Sequence, residues 1–427
     1  MAELSEVNPV WGLTAPDGGD YPLLEGSARA EVIVVGGGFC GLSAALHLAE
    51  AGRTVALIDS FEPGWGASGR NGGQVIPGLK VDPDHLAEHY GADAAETVAV
   101  ATGAAPDLVF DLIDRYAIEC SPKRTGWIQL AAGPKGMGQL KDRVRQLQNR
   151  NVDVDLLDRN AVAEATGTES YAGGLIDRRG GNLNPLAYAR GLARALMTHK
   201  ATIYAHSRAL SMKQVSGKWV VETSSGQLTA THLLLCTNAY TDGCWPRLAH
   251  TVVPFVSGAV ATEPLSAALR DTILPGGQAA ADNCRLLSWF GLDPAGRLIF
   301  GGRTGAWSET SDPADFRNRI RRMHGIFPQV KDAEVTHHWS GLVALTADHV
   351  PHVHRLAANL YAALGFNGRG VAMATLAGKL LSLLIDEGDD SAVLPLVPLK
   401  TIPLHAYRRP AVQSVVLWKK LLDRFAP

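Results

Sequence analysis

The rhythm of apolar and polar positions changes along the chain, and each rhythm predicts an element. Residues 31–35 (Glu-Val-Ile-Val-Val) are almost continuously apolar, which suits a strand buried on both faces. A glycine-rich turn follows at 36–41. Leu42, Ala45, Leu46 and Ala49 then recur at helical spacing, and Gly52 stands where a helix ends. A second apolar run at 53–59 closes on Asp59, completing a β-α-β unit of about 30 residues.

Beyond it, helical patterning dominates 84–118, broken by Pro106. Strands are predicted at 126–131 and 152–157, flanking a charged helix at 135–150. Pro185 opens a helix that runs to 199. Strands follow at 201–205, 219–223 and 232–236, and the 250–303 stretch is strand-rich. A helix at 316–327 and a strand, turn and apolar helix at 359–385 close the organised chain. Residues 1–29 read as an irregular arm.

This order predicts an α/β Rossmann-like nucleotide-binding domain with an α+β insert, a mixed and largely antiparallel sheet. The expected nucleotide-binding segments are 30–80, 160–245 and 335–400. The expected substrate domain takes 81–159 and 246–334, and 401–427 forms a C-terminal extension. Within that extension, residues 415–422 are amphipathic and expected to dock on the protein rather than on lipid.

Composition narrows the function. The 40 basic and 42 acidic residues are balanced, and charge is sparse at 19%. A nucleic-acid groove or polybasic membrane surface would need clustered Lys and Arg, so neither is expected. Five well-separated cysteines without a C-x-x-C pair argue against a disulfide framework or a cysteine-rich zinc site. The polar, acidic start lacks the features of a secretory signal, and no apolar run of about 20 residues escapes glycine breaks. The expectation is a soluble, cytoplasmic protein. The unusual number is 45 glycines, and their positions carry the chemistry.

Gly36, Gly38 and Gly41 form G-x-G-x-x-G between a predicted strand and a predicted helix. The first glycine permits the tight turn, the second admits a pyrophosphate, and the third lets helix and strand pack closely. Free amides at the helix start, around Phe39 and Cys40, favour phosphate. Asp59, with Ser60 beside it, ends the second strand, where a carboxylate can accept from ribose hydroxyls. A second small-residue stretch runs from Gly64 through Trp65, Gly66, Ala67, Ser68, Gly69, Arg70, Asn71, Gly72 and Gly73 to Gln74. Its backbone suits contact with a diphosphate and a flat ring.

At this stretch the chain resembles the D-amino-acid-oxidase-like FAD-dependent amine oxidoreductases, and within them the gamma-glutamylputrescine oxidoreductases. The likeness runs from about residue 28 to the C-terminus. It implies FAD as cofactor, and it implies a second flavin-contacting turn at Gly365, Phe366, Asn367, Gly368, Arg369, Gly370 and Val371. There the family pattern is G-[FY]-S-G-H-G. Asn367 stands for Ser and Arg369 for His. The Arg369 side chain either reinforces charge at the flavin or points to solvent. The resemblance also implies roles for the 180–185 turn, for Thr237 and Asn238 over the adenosine half, and for Trp339, Gly341 and Pro351. Members with covalent flavin carry a cysteine near the place of Gly341. This chain has none after Cys284, so FAD without a cysteinyl link is expected.

Flavin-dependent amine oxidation needs orientation more than a catalytic triad, and none is present. Trp65, Arg70 and Arg369 are the candidate catalytic residues. Arg70 equally suits a phosphate or a structural carboxylate. Trp289, Phe290 and Arg303 are placed in the substrate domain, where they would line a pocket for an amine carrying a carboxylate or serve as core and surface residues. His337, His338, His349, His352 and His354 lack metal-ligand spacing, so no metal is expected. Only one dinucleotide fingerprint is present, so the electrons are expected to leave to oxygen or a quinone. Arg297 and Arg303, without a lysine between 297 and 307, leave oxidase versus dehydrogenase open. The expected substrate is gamma-glutamylputrescine-like. The alternatives are a cyclic, N-methyl or D-amino acid, or a non-catalytic flavin-binding assembly role.

Overall fold

The computed structural model describes residues 9–304, 308–407, 410 and 414. The amphipathic 415–422 segment lies outside the described residues. A six-stranded sheet has the order His352–Ala357, Leu360–Leu364, His232–Leu235, Val32–Val35, Val55–Ile58, Ala201–Tyr204. All but the first edge strand run parallel. The continuous apolar runs now have their reason, because alternate residues face two different cores. Val32, Val34, Leu57 and Leu234 pack under helices Phe39–Glu50, Pro185–Leu196 and Gly370–Asp386. Ile33, Val35, Ala56, Ile58, Leu233 and Leu235 meet Trp219, Val221 and Leu228 of a four-stranded sheet.

A second, eight-stranded sheet is antiparallel except where Ala279–Asp282 runs parallel to Trp127–Ala131. One face packs on helix Pro313–Ile326 through Val260, Leu298, Phe300 and Phe316. The other face carries Ala259, Ala261, Ile299 and Trp339, which cluster with Trp11 and Leu186. This second face looks towards the parallel sheet.

Several expected boundaries shift. Gly173–Asp177 and Val335–Leu345 are strands of the eight-stranded sheet, although they fall in segments expected to be nucleotide-binding. Hydrogen bonding to Trp127–Ala131 and Val253–Pro264 decides their place, and such long-range pairing leaves no local mark. Residues 86–115, expected in the substrate domain, form three helices, and Val109, Leu112 and Ile113 join the core beside Gly370–Asp386. Pro106 lies in the first turn of Ala105–Arg115, where its missing N–H costs nothing. The described part of the arm, from Pro9 onward, contains regular elements. Val10–Leu13 makes a 3-10 turn, and Gly26–Arg29 pairs with Gly226–Ala230.

Two helices of the parallel-sheet layer cross at a glycine. A Cβ on Gly378 would come within 2.7 Å of Ala44 N and Ser43 Cβ on Phe39–Glu50, and Ser43 Oγ donates to Thr375 O at 2.7 Å across the same crossing. Gly378→Ala is therefore expected to cost about 1–3 kcal/mol through overpacking, seen as a lowered thermal midpoint. An unchanged midpoint would show that this crossing is not close.

Candidate functional site

Four segments meet at the carboxyl edge of the parallel strands. They are the 36–41 turn, Asp59, the 236–240 turn and the 365–370 turn. Gly36 has φ +113°, and a Cβ there would stand 2.8 Å from Cys236 O, so only glycine lets these two turns touch. A Cβ on Gly41 would strike the Gly36 carbonyl, which keeps helix Phe39–Glu50 tight on its strand. Asp59 Oδ2 accepts from Gly37 N at 2.6 Å, and Oδ1 accepts from Phe61 N at 2.9 Å. Burial raises the Asp59 carboxyl to about 6, against the lowering effect of these amides. Ser60 follows it, half-buried.

The 64–74 loop, which follows strand Val55–Ile58, closes over this edge. Ser68 Oγ accepts from Phe39 N at 3.0 Å, tying the loop to the start of the helix. Asn71 folds the loop on itself: its Nδ2 donates to Ala67 O and Ser68 O, and its Oδ1 accepts from Gly73 N at 2.8 Å. Three buried indoles then fix the loop from outside. Trp11 Nε1 donates to Asn71 O at 2.8 Å, Trp339 Nε1 to Arg70 O at 2.9 Å, and Trp127 Nε1 to Gln74 Oε1 at 2.9 Å. Gln74 Nε2 continues to Ala280 O and Phe290 O in the eight-stranded sheet. Gly72 lies under the Trp289 ring, which a Cβ would meet at 2.5 Å.

Arg70 takes the structural carboxylate. Its Nη1 pairs with Glu309 Oε1 at 3.0 Å, with both side chains nearly sealed from solvent. Its Nε donates to Trp65 O at 2.8 Å, and its guanidinium lies 4.0 Å from the centre of the Trp65 ring. Trp65 stacks on Phe61 and meets the edge of Tyr240, whose hydroxyl donates to Glu309 Oε1 at 2.6 Å. Gly66 faces the same Tyr240 ring, 3.1 Å from a would-be Cβ.

At the second turn, Gly365 N donates to Asn238 Oδ1 at 2.9 Å, so the 236–240 and 365–370 turns are one unit. Thr237 Oγ1 and Thr241 Oγ1 stand 2.6 Å apart in a hydrogen bond beside it. Asn367 is buried and tied to Thr346 and to Gly365 O. Arg369 does not reach solvent. Its Nη1 donates to Pro77 O at 2.6 Å and Gly78 O at 3.2 Å, beneath the Trp127 ring. Burial lowers its pKa to about 9, leaving it cationic at neutral pH. Cβ atoms on Gly368 and Gly370 would meet nothing within 4 Å, so the start of helix Gly370–Asp386, with Val371 in its first turn, faces open space.

Glu309 and Trp11 have no signal in the chain order, because a lone loop acid and an arm tryptophan look like surface. The histidines scatter. His352 pairs with Asp348 at 3.0 Å, His354 is buried against Val397 O with its pKa lowered by burial to about 4, and His338 packs on Phe316. Among the described residues, no group of three or more His, Cys, Asp or Glu is placed to hold a metal. Among them too, no helix is long and apolar enough to cross a membrane.

An FAD-dependent oxidoreductase family pattern matches residues 31–384. The chain is 34% identical to gamma-glutamylputrescine oxidoreductase of Escherichia coli over 88% of this chain and 89% of that protein. It is 32% identical to a probable oxidoreductase, OrdL, of Haemophilus influenzae over 95% and 94%. Its fold matches glycine oxidase of Geobacillus kaustophilus with a TM-score of 0.72 at 20% identity, covering 84% of this chain and 95% of that one.

The Arg70–Glu309 pair joins the loop to the segment between strand Arg297–Arg303 and helix Pro313–Ile326. Glu309→Leu leaves a buried guanidinium without its counter-charge and is expected to cost about 3–5 kcal/mol. Adding Arg70→Met should recover most of that loss. Thermal unfolding of the two variants checks it, and a stable single variant would show that the pair holds nothing.

Proposed function

The chain belongs to the FAD-dependent oxidoreductase (DAO) family, which acts on C–N bonds, and on that premise we propose that its substrate is an amine of the gamma-glutamylputrescine type. The CH–NH2 unit gives up two electrons and becomes an imine, water hydrolyses the imine to an aldehyde and ammonia, and the electrons leave to oxygen or a quinone. The observation that carries FAD binding is the convergence of the 36–41 turn, Asp59 and the 365–370 turn on one sheet edge, beneath the 64–74 loop. The identity to the putrescine enzyme supports the substrate class.

The arrangement fits FAD in its parts. Gly36, Gly38 and Gly41, with the amide at Cys40 and the dipole of Phe39–Glu50, would receive the pyrophosphate, while the Phe39 amide is held by Ser68 Oγ. Asp59 would accept from the ribose, with Ser60 at its side. Ala67, Ser68, Asn71, Gly72, Gly73 and Gln74 would form the wall of the ring site, and Thr237 and Asn238 would flank the nucleotide. Gly368 and Gly370, open at a helix start, would face the pyrimidine edge, where a helix dipole favours negative charge. When bound, the flavin supplies a two-electron acceptor for the substrate C–H bond.

The protein's own share is positioning. Arg70 and Trp65 hold the loop through Glu309 and Tyr240. Arg369, fixed on Pro77 and Gly78 carbonyls, keeps a positive charge beneath Trp127. A Cβ on Gly341 would stand 3.2 Å from Arg70 Cβ and 4.0 Å from Ala67 Cα. Glycine stands at 341, and the chain has no cysteine after Cys284, which supports non-covalent FAD.

Anaerobic mixing with a panel of amines reads the function directly. Loss of the flavin absorbance near about 450 nm with gamma-glutamylputrescine and related primary amines is expected. Bleaching only by sarcosine, pipecolate or D-amino acids would replace the polyamine reading. No bleaching by any amine would leave a flavin-binding role alone.

A further inference from the structure

The chain before residue 31 lies outside the family pattern, which covers 31–384. Its described part is nonetheless built into the fold as a strap. Val10 and Trp11 are buried with Ile299 and Trp339, on the face of the eight-stranded sheet that looks towards the parallel sheet. Tyr21 is buried in the core under the parallel-sheet helices, and Leu24 enters the core on that sheet's other side. Helix Pro185–Leu196 and the Asn184 before it hold the strap by its carbonyls. Asn184 Nδ2 donates to Trp11 O at 3.0 Å, and Arg190 Nη1 donates to Pro16 O at 2.8 Å. Leu24 N donates to Ser207 Oγ at 2.8 Å. Anchors in three cores fix where Trp11 stands.

Trp11 acts on the 64–74 loop through one carbonyl. Its Nε1 donates to Asn71 O at 2.8 Å, and Trp339 Nε1 donates to the preceding carbonyl, Arg70 O, at 2.9 Å. The two indoles meet edge to face, with ring centres 6.4 Å apart, in one buried cluster. Both carbonyls therefore point to the same side of the loop. Both peptides are trans, which sets each N–H opposite its C=O. The Asn71 and Gly72 N–H groups consequently turn away from the indoles, and neither has a hydrogen-bond partner among the described residues. The loop lies between the indole cluster and the edge that gathers the 36–41 and 365–370 turns, and the Ser68–Phe39 bond ties it to that edge. Successive N–H groups on one side of a turn favour negative charge. Each indole also polarises the peptide it binds, which makes the N–H of that peptide a better donor.

We propose that Trp11 is a positioning residue of the flavin site: it aims and polarises the Asn71–Gly72 peptide, so that the Gly72 N–H, with the Asn71 N–H beside it, donates to the flavin ring and stabilises its reduced form. The inference rests on the flavin-site reading above and deepens it, because it gives the arm a part in setting the flavin's reduction potential. A donor held towards the ring stabilises the more negative, reduced form more than the oxidised one. Without the Trp11 N–H, Asn71 O is free to turn, and the glycine that follows resists rotation of that peptide least. The effect falls on the balance between the two redox forms and is separate from the packing of the arm.

The test uses the full chain loaded with FAD. Wild type is compared with Trp11→Phe, which keeps an aromatic ring but loses the N–H, and with Val10→Ala, which loosens the buried arm without removing a bond to the loop. The two-electron midpoint potential of the bound flavin is measured against reporter dyes, together with the thermal midpoint. Trp11→Phe is expected to weaken the preference for reduced over oxidised flavin by about tenfold, read as a fall of about 30 mV in a two-electron couple. Val10→Ala should lower the thermal midpoint and leave the potential where it was. Trp339→Phe, which removes the donor to Arg70 O, should lower the potential as Trp11→Phe does. Wild-type potential in a Trp11→Phe protein that retains FAD overturns the inference. So does a potential that falls equally in Val10→Ala, because packing alone would then set it. If Trp11→Phe fails to retain FAD, Trp339→Phe carries the same comparison with the same two outcomes. Wild type that binds no FAD would reject the flavin site and this inference with it. An amine panel without bleaching rejects amine oxidation, while a lowered potential in Trp11→Phe still supports the role of the arm.

Discussion

Parallel pairing is the constraint on which the rest of the structure depends. Val32–Val35 lies between His232–Leu235 and Val55–Ile58, and Leu360–Leu364 adds beyond His232–Leu235, all in the same direction. Every one of these strands must therefore end at the same edge. Residues 36, 59, 237 and 365 are brought together by that pairing, although they are distant in the chain. The edge also gathers the amino ends of Phe39–Glu50 and Gly370–Asp386, whose dipoles both favour negative charge there. A nucleotide site is the natural outcome of a sheet wound in this order.

The loop from Gly64 to Gln74 is the second component, and its rigidity has an unusual source. It has little regular structure of its own, only a 3-10 turn at Ala67–Gly69 and two strand residues at Gln74–Val75. Its shape is held by side chains that arrive from the arm, from the eight-stranded sheet and from the 236–240 turn. Trp11, Trp339 and Trp127 each donate one indole N–H to it, and Glu309 neutralises its arginine. A loop fixed by so many remote partners is rigid without being long, which suits a wall that must hold a flat ring in place.

Much of this is legible in the sequence where the signal is local. The apolar runs at Val32–Val35 and Val55–Ile58, the glycine spacing at 36–41 and the turn before Gly370–Asp386 all have short-range reasons, such as burial on two faces or a φ only glycine adopts. What the sequence hides is long-range. Nothing near Val335–Leu345 says that it pairs with Val253–Pro264, nothing near Glu309 says that it meets Arg70, and nothing near Arg369 says that it turns onto Pro77. Periodicity reports how a residue is buried but not which partner buries it.

The central claim is that this sheet edge binds FAD reversibly with Asp59 on the ribose. Burial raises that carboxyl to about 6, so without ligand it is ionised above pH 6 and protonated below. Ribose hydroxyls donate best to the ionised form, and binding should strengthen as pH rises through that value. The sign is opposite for folding. The folded chain keeps a proton that the unfolded chain has lost between about pH 4 and 6, so this group's contribution to stability falls as pH rises across that window. The decisive measurement is a titration of the flavin-free protein with FAD at pH 5 and pH 8, for the wild type and Asp59→Asn. The account predicts one FAD per chain, tighter at pH 8 in the wild type, with the difference lost in Asp59→Asn. Flavin that cannot be removed without breaking a covalent bond, or wild-type affinity that is flat or stronger at pH 5, would contradict it.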